Sequence, residues 1–212
     1  MLAVRASGGR EGSQMRYTKE HKAKAKEAIL RSAARVLKRD GFNGIGVDAL
    51  AASAQVTSGG FYSNFATKEA LLEEVINAEL GAMFAGIADA DPAERDRRLR
   101  ELVAVYLSDQ HCEDVADGCV MPSLSADVSR AAPHVRETYQ RRMTELVATL
   151  ASAMQGTPGE RQQHAWTAVA TIVGAVTVAR ALPPGAEARA VLDAALTAVT
   201  QMTSSNVDSA SS

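Results

Sequence analysis

Val56-Thr57-Ser58-Gly59-Gly60-Phe61-Tyr62-Ser63-Asn64-Phe65-Ala66-Thr67-Lys68-Glu69-Ala70-Leu71 is the stretch on which the reading of this 212-residue chain turns. Its first half, Thr57–Asn64, reads as a very short helix with small residues at its tip, and Phe61 and Phe65 stand one turn apart as anchors. Thr67, ahead of Lys68-Glu69-Ala70-Leu71, is a natural N-cap for the next helix. Upstream, Val47–Ala54 predicts a second short helix, in which Ala49, Ala51, Ala52 and Ala54 permit close packing. Further back, Ala28, Ile29, Ala33, Val36 and Leu37 recur three and four apart. They predict a first helix over about Thr18–Arg39, capped by Thr18 and stopped at Asp40-Gly41. A longer helix followed by two short ones, joined by a tight connection at Ala54-Gln55-Val56, is the pattern of a helix-turn-helix.

That motif makes physical demands that these residues meet. A helix tip entering the major groove needs exposed backbone N–H groups and small side chains, which Thr57, Ser58, Gly59 and Gly60 supply. The partial positive charge of a helix N-terminus also favours phosphate. Tyr62 and Lys68 are placed to reach backbone phosphates, and Arg16, Lys19, Lys22, Lys24 and Lys26 form a basic arm. The charge distribution agrees. Residues 1–70 hold 12 of the 23 Lys and Arg but only 6 of the 25 Asp and Glu, a net of +6 within a chain of net −2, and no Lys follows Lys68. A basic end on an acidic body suits a chain that meets a polyanion at that end alone.

Gly41-Phe42, Val47-Asp48-Ala49-Leu50-Ala51 and the Val56–Leu71 string together resemble the DNA-binding domain of TetR-family transcriptional regulators, over about residues 20–75. The resemblance implies that Tyr62 and Lys68 contact phosphates, that Thr57–Phe61 read bases, and that a homodimer binds a palindromic operator. Two positions depart from the family pattern. Gln55 stands where the turn usually has Gly, which calls for a left-handed backbone at some strain. Ile45-Gly46 stands where a Ser or Thr commonly caps the second helix, leaving the Gly46 backbone amide as the contact there.

The rest of the chain also reads as helical. Leu71, Leu72, Val75, Ile76, Leu80, Met83 and Ile87 predict one long helix of about 20 residues and about 30 Å from Thr67. Leu99, Leu102, Val103 and Tyr106 form a stripe after Asp91-Pro92, and Val135, Tyr139, Met143, Leu146, Leu150 and Met154 another after Pro133. Gly156–Gly159 reads as a turn, Ala165–Leu182 as a nearly all-apolar helix, and Ala186–Met202 as the last amphipathic one. No convincing strand alternation occurs, so the fold class is all-α. By resemblance the body is an effector-binding and dimerisation domain, with the last two helices pairing with a partner copy and a small molecule releasing the DNA. Repression is the action it implies. Met83, Phe84, Tyr106, Met121, Tyr139, Met143 and Trp166 are candidate pocket residues, and Cys119 and Cys112 candidate thiol sensors. Each also has a plainer reading as core.

The expected organisation is a disordered leader over 1–15, the helix-turn-helix domain over 16–66, the body over 67–203 and a disordered tail over 204–212; Met15 is an alternative start. No export signal is evident, so a cytoplasmic protein is expected. An apolar fraction of 46% with two cysteines excludes disorder and a disulfide framework. Catalysis is not implied: the four His are scattered, and no zincin, nucleophile-elbow, dinucleotide or Walker pattern is present. His111-Cys112 with Cys119 matches no standard zinc spacing, so neither metal nor cofactor is expected. The alternatives are a helical interaction protein with lost or weak DNA binding, and a thiol-based redox or electrophile sensor.

Overall fold

The structure, a computed structural model, describes the backbone of residues 10–204 and the side chains of residues 23–203. It contains no strand among the described residues. Three helices make the N-terminal unit: α1 (Arg10–Asp40), α2 (Val47–Ser53) and α3 (Ser58–Tyr62). The body comprises α4 (Lys68–Glu79), a 3-10 helix (Ala82–Ile87), α5 (Arg95–Tyr106), α6 (Asp109–Glu113), α7 (Val120–Val128), α8 (Pro133–Ala151), α9 (Pro158–Ala181) and α10 (Ala186–Ser204).

The helix starts follow from side chains that accept an orphan backbone N–H. Thr57, Thr67, Ser108 and Thr157 each cap the helix that follows them. Thr157 and Glu160 form a reciprocal capping box, with Pro158 at the first helical position. The expected turn at Gly156–Gly159 is therefore the start of α9, seven residues before Ala165. The first helix also begins earlier than expected, at Arg10, so Thr18 lies inside it and residues 10–15 of the expected leader are helical. Residues 1–9 and 205–212 lie outside the described residues.

The largest correction concerns the helix after Thr67. It does not run for 20 residues. α4 ends at Glu79, Leu80 is extended, and Gly81 takes a left-handed φ of 81° before the chain resumes as a 3-10 helix. The apolar periodicity continues across this break because Leu80, Phe84 and Ile87 all enter the same core. Periodicity reports burial, and here burial survives a change of helix.

One hydrophobic core runs through the molecule. Ile29, Ala33 and Leu37 of α1 meet Leu50, Phe61, Phe65 and Leu71, and the cluster continues through Leu72, Val75 and Ile76 into the body. α9 buries Ala165, Ala168, Ile172, Ala175, Val176 and Ala179, while its opposite side exposes Trp166, Ala170, Gly174 and Val178. Among the described helices none is long and apolar enough to cross a membrane.

Candidate nucleic-acid interface

The turn between α2 and α3 is a Schellman motif. The Val56 N–H donates to the Ala51 carbonyl and the Gln55 N–H to the Ala52 carbonyl, both at 3.0 Å. That closure needs a left-handed residue after the helix, and Gln55 provides it with φ 57°, the only non-glycine positive φ among the described residues. The strain expected from the sequence is present.

α3 is held from both ends. The Thr57 hydroxyl accepts from the Gly60 N–H at 3.1 Å, and the Gly60 carbonyl accepts from both Ser63 and Asn64 at 2.8 Å. Beneath it Phe61 and Phe65 are fully buried with ring centroids 5.6 Å apart. The anchors therefore face inward and the tip faces out. Ser58 donates its hydroxyl to Asp48 of α2 at 2.6 Å, and a Cβ on Gly59 would meet only the Thr57 hydroxyl at 3.8 Å. Tyr62 is 55% exposed, with its ring edge-on to Phe61. The Lys68 ammonium lies 4.2 Å from the centroid of the Phe42 ring, a cation–π contact that holds the tip of this side chain.

Gly46 is the N-cap of α2 and has no side-chain cap, as the sequence implied; its carbonyl accepts from the Leu50 N–H. Nothing lies within 4 Å of a Cβ built there, so the position is open on the protein side. The basic arm is less uniform than the sequence suggests. Lys26 turns toward the body, pairing with Glu74 at 2.7 Å and lying over the Phe65 ring. The side chains of Arg16, Lys19 and Lys22 lie outside the described residues.

Behind this surface, the body grips the N-terminal unit at points the sequence did not reveal. Lys38 is buried, and its ammonium donates to Glu79 at 2.7 Å and to the Gly118 carbonyl at 3.0 Å. Arg35 pairs with Asp117. Asp127 of α7 accepts from the Phe42 N–H at 3.1 Å and from the Asn43 amide at 3.3 Å.

The candidate pocket residues are not brought together around one cavity. Phe84, Tyr106, Met121 and Met143 are close-packed core, with Phe84 and Tyr106 ring centroids 5.8 Å apart and Tyr106 and His111 4.6 Å apart. The Tyr139 hydroxyl bonds to Ser125 at 2.7 Å. Burial raises the Tyr106 phenol well above its ordinary range. Trp166 is 44% exposed on the outer side of α9, away from this core. Met83, Phe84 and Cys119 border a cavity of 290 Å³ against α1, rimmed by Arg31, Arg35 and Lys38. A larger cavity, 480 Å³, lies between α6, α9 and α10, and none of the aromatic or methionine candidates lines it. Its signal in the sequence was Arg180, a lone charge near the end of an apolar helix.

The thiols have the character of core residues. Cys112 is buried, and the Cys119 sulfur accepts from the Met121 N–H at 3.5 Å as the cap of α7. Burial, as the main cause, pushes both thiols up, opposite to the lowering that makes a reactive thiolate. Among the described residues no group of three or more His, Cys, Asp or Glu could hold a metal.

Comparison with known proteins bears on both halves of the chain. Residues 29–75 match the family described as bacterial regulatory proteins, tetR family. No curated protein matches the sequence. Solved structures share the fold over most of the chain. Escherichia coli NemR in its reduced form is 20% identical with a TM-score of 0.69, covering 87% of this chain and 99% of that one. A TetR-family regulator from Agrobacterium tumefaciens is 19% identical with a TM-score of 0.66, covering 84% and 99%. AibR, crystallised with isovaleryl coenzyme A and operator DNA, is 18% identical with a TM-score of 0.57, covering 83% and 98%.

Proposed function

Because residues 29–75 match the tetR family and fold as its DNA-binding helix-turn-helix, we propose that the chain is a TetR-family transcriptional regulator that binds a palindromic operator as a homodimer, represses a neighbouring gene in the cytoplasm, and is released by a small-molecule effector. The observation that carries the reading is the orientation of α3: Phe61 and Phe65 lock it from below while Thr57, Gly59 and Tyr62 are exposed and Ser58 is half-buried between them. Thr57–Phe61 then read base edges and Tyr62 and Lys68 bind phosphates, with the Gly46 amide adding a backbone contact. Of these, Phe61 acts indirectly, since its ring is in the core and only its backbone can face DNA.

The homodimer is supported by the outer side of α9. Trp166 and Val178, flanked by Ala170 and Gly174, form an apolar strip on a long helix, the kind of surface a partner helix covers. A two-fold dimer would set its reading heads about 34–36 Å apart, or a multiple of that, to meet successive major grooves. Effector release is supported by the cavities of the body, and by AibR, which shares the fold and was crystallised with both a ligand and DNA.

A gel shift on the DNA upstream of the protein's own gene, run as a salt series with random duplex as competitor, tests the reading. A specific band on an inverted repeat is expected. A steep salt slope without sequence preference would leave only basic-arm binding, and no band would favour a helical interaction protein.

A further inference from the structure

The 480 Å³ cavity between α6, α9 and α10 is lined by an arginine, Arg180, that forms no ion pair among the described residues. Arg180 is half-buried and donates from Nε to the Cys112 carbonyl at 2.9 Å, from Nη2 to the His111 carbonyl at 3.1 Å and from Nη1 to the Ser123 hydroxyl at 3.2 Å. All three acceptors are neutral. Among the described residues no carboxylate forms an ion pair with it. A guanidinium has five N–H donors, so these bonds leave donor capacity unused. The other charges of the cavity are accounted for differently. Asp109 and Arg189 pair with each other at 3.0 Å, and Glu113 is exposed at the rim. The remaining wall is apolar, with Ala179, Leu182, Ala188 and Leu192 prominent. The volume falls within the range of about 300–1,000 Å³ typical of small-molecule sites.

We propose that this cavity binds an amphipathic organic acid, its single carboxylate on Arg180 and its hydrocarbon body against Leu182, Ala188 and Leu192. The assignment rests on the effector-released regulator reading for its consequence, though not for the binding itself. A charge-assisted bond to a carboxylate is stronger than one to a neutral acceptor. The acid therefore draws the guanidinium toward the cavity and away from the carbonyls of α6.

That movement has a short route to the DNA-binding unit. Gly118 abuts Arg180 so closely that a Cβ on it would stand 2.8 Å from Nη2, and the carbonyl of the same residue accepts the buried Lys38 ammonium of α1. One residue thus touches the cavity's guanidinium and is hydrogen-bonded to the first helix.

The test measures binding to the full chain by isothermal titration calorimetry. Probes are the straight-chain carboxylates from hexanoate to dodecanoate, the corresponding alcohols, and the alkyltrimethylammonium ions. At least one carboxylate should bind, with a Kd at least about tenfold lower than that of its alcohol, the lower end expected for a charge-assisted bond. Arg180→Gln should erase that preference. Ala188→Trp, which fills the cavity and keeps the arginine, should abolish binding; it serves as the second variant if Arg180→Gln does not fold. The proposal is overturned if no carboxylate binds, if the alcohol or the cation binds equally well, or if Ala188→Trp binds as the parent does. Operator that stays bound at saturating carboxylate would overturn the route through Gly118. Failure to bind any operator, with carboxylate binding intact, would overturn the regulator reading and leave the site standing.

Discussion

Replacing Gln55 by glycine should stabilise the protein. Gln55 closes the Schellman motif between α2 and α3 at φ 57°. A left-handed backbone costs a residue with a Cβ about 1–2 kcal/mol. Glycine escapes that cost but loses more entropy on folding, by roughly 0.5–1 kcal/mol. The difference favours glycine by about 0.5–1 kcal/mol. No contact is lost in exchange, because the Gln55 side chain is exposed and makes no hydrogen bond among the described residues. The two bonds that define the turn come from the backbone and survive the substitution. For a chain of this size the gain corresponds to a rise in Tm of about 1–4 °C, measured by circular dichroism at fixed protein concentration because association shifts apparent stability. Gln55→Ala separates the causes: it removes the side chain and keeps the strain, so its Tm should stay near that of the parent. If Gln55→Gly is no more stable than Gln55→Ala, the left-handed geometry is not costing what the argument assigns to it.

Other substitutions probe the anchor, the interface and the junction. Phe61→Ala empties a fully buried ring site and should cost about 3–5 kcal/mol in urea unfolding, with specific DNA binding lost in the same concentration range. Lys68→Met should weaken binding across all duplexes and reduce the magnitude of the salt slope by about 0.9, one phosphate's share, while a merely structural lysine would leave the slope unchanged. Lys38→Met removes a buried ammonium from Glu79 and from the Gly118 carbonyl. It should cost about 2 kcal/mol, less than a fully buried pair because the Glu79 side chain is about a third exposed. Burial, with Arg180 as the second cause, holds the His111 imidazole below its ordinary range. The unfolded chain therefore takes up the proton first, so the stability due to neutral His111 is complete above about pH 6.5 and falls as the pH drops below it. His111→Phe should flatten that decline in a pH series of unfolding curves.

Much of the fold was legible because local chemistry and tertiary burial agree. Thr57, Thr67 and Asp40-Gly41 mark boundaries the structure keeps, and the strain at Gln55 and missing side-chain cap at Gly46 could be named from residue type alone. The failures have separate local causes. Leu80, Phe84 and Ile87 are all core, so their spacing hid the break at Gly81. Gly159 suggested a turn, although a glycine in the first turn of a helix costs little when Thr157 and Glu160 cap it. At the candidate site, the outward residues of α3 could be found because small side chains in a fixed motif have few other uses. The cavity could not, since aromatic and methionine side chains fill space, and the open volume lies where residues as plain as Ala188 and Leu192 fail to close it.

The break after Glu79 changes how a signal must travel. A single 30 Å helix from the reading head into the body could tilt as a lever. The observed α4 is short and fastened to α8: Glu73 accepts from Thr138 at 2.8 Å, Asn77 from Arg141 at 2.7 Å, and the Leu80 carbonyl from Arg142 at 2.8 Å. α1 is fastened to α4 through Lys26–Glu74 and Lys38–Glu79, and also to the residues before α7 through Lys38 and Arg35, while its following loop reaches α7 itself through Asp127. The N-terminal unit therefore hangs on two lines, one to α8 and one to the α7 region. A ligand that shifted α7 and α8 together would move the whole unit as a rigid body. A shift of α7 alone would pull α1 against α4, and both helices contribute to one core, Ile29, Ala33 and Leu37 from the first and Leu71 and Val75 from the second. Close-packed interiors transmit such displacements rather than absorb them. Phe61 and Phe65 belong to that same core, so a displacement of α1 against α4 should reach the tip at Ser58 and Gly59.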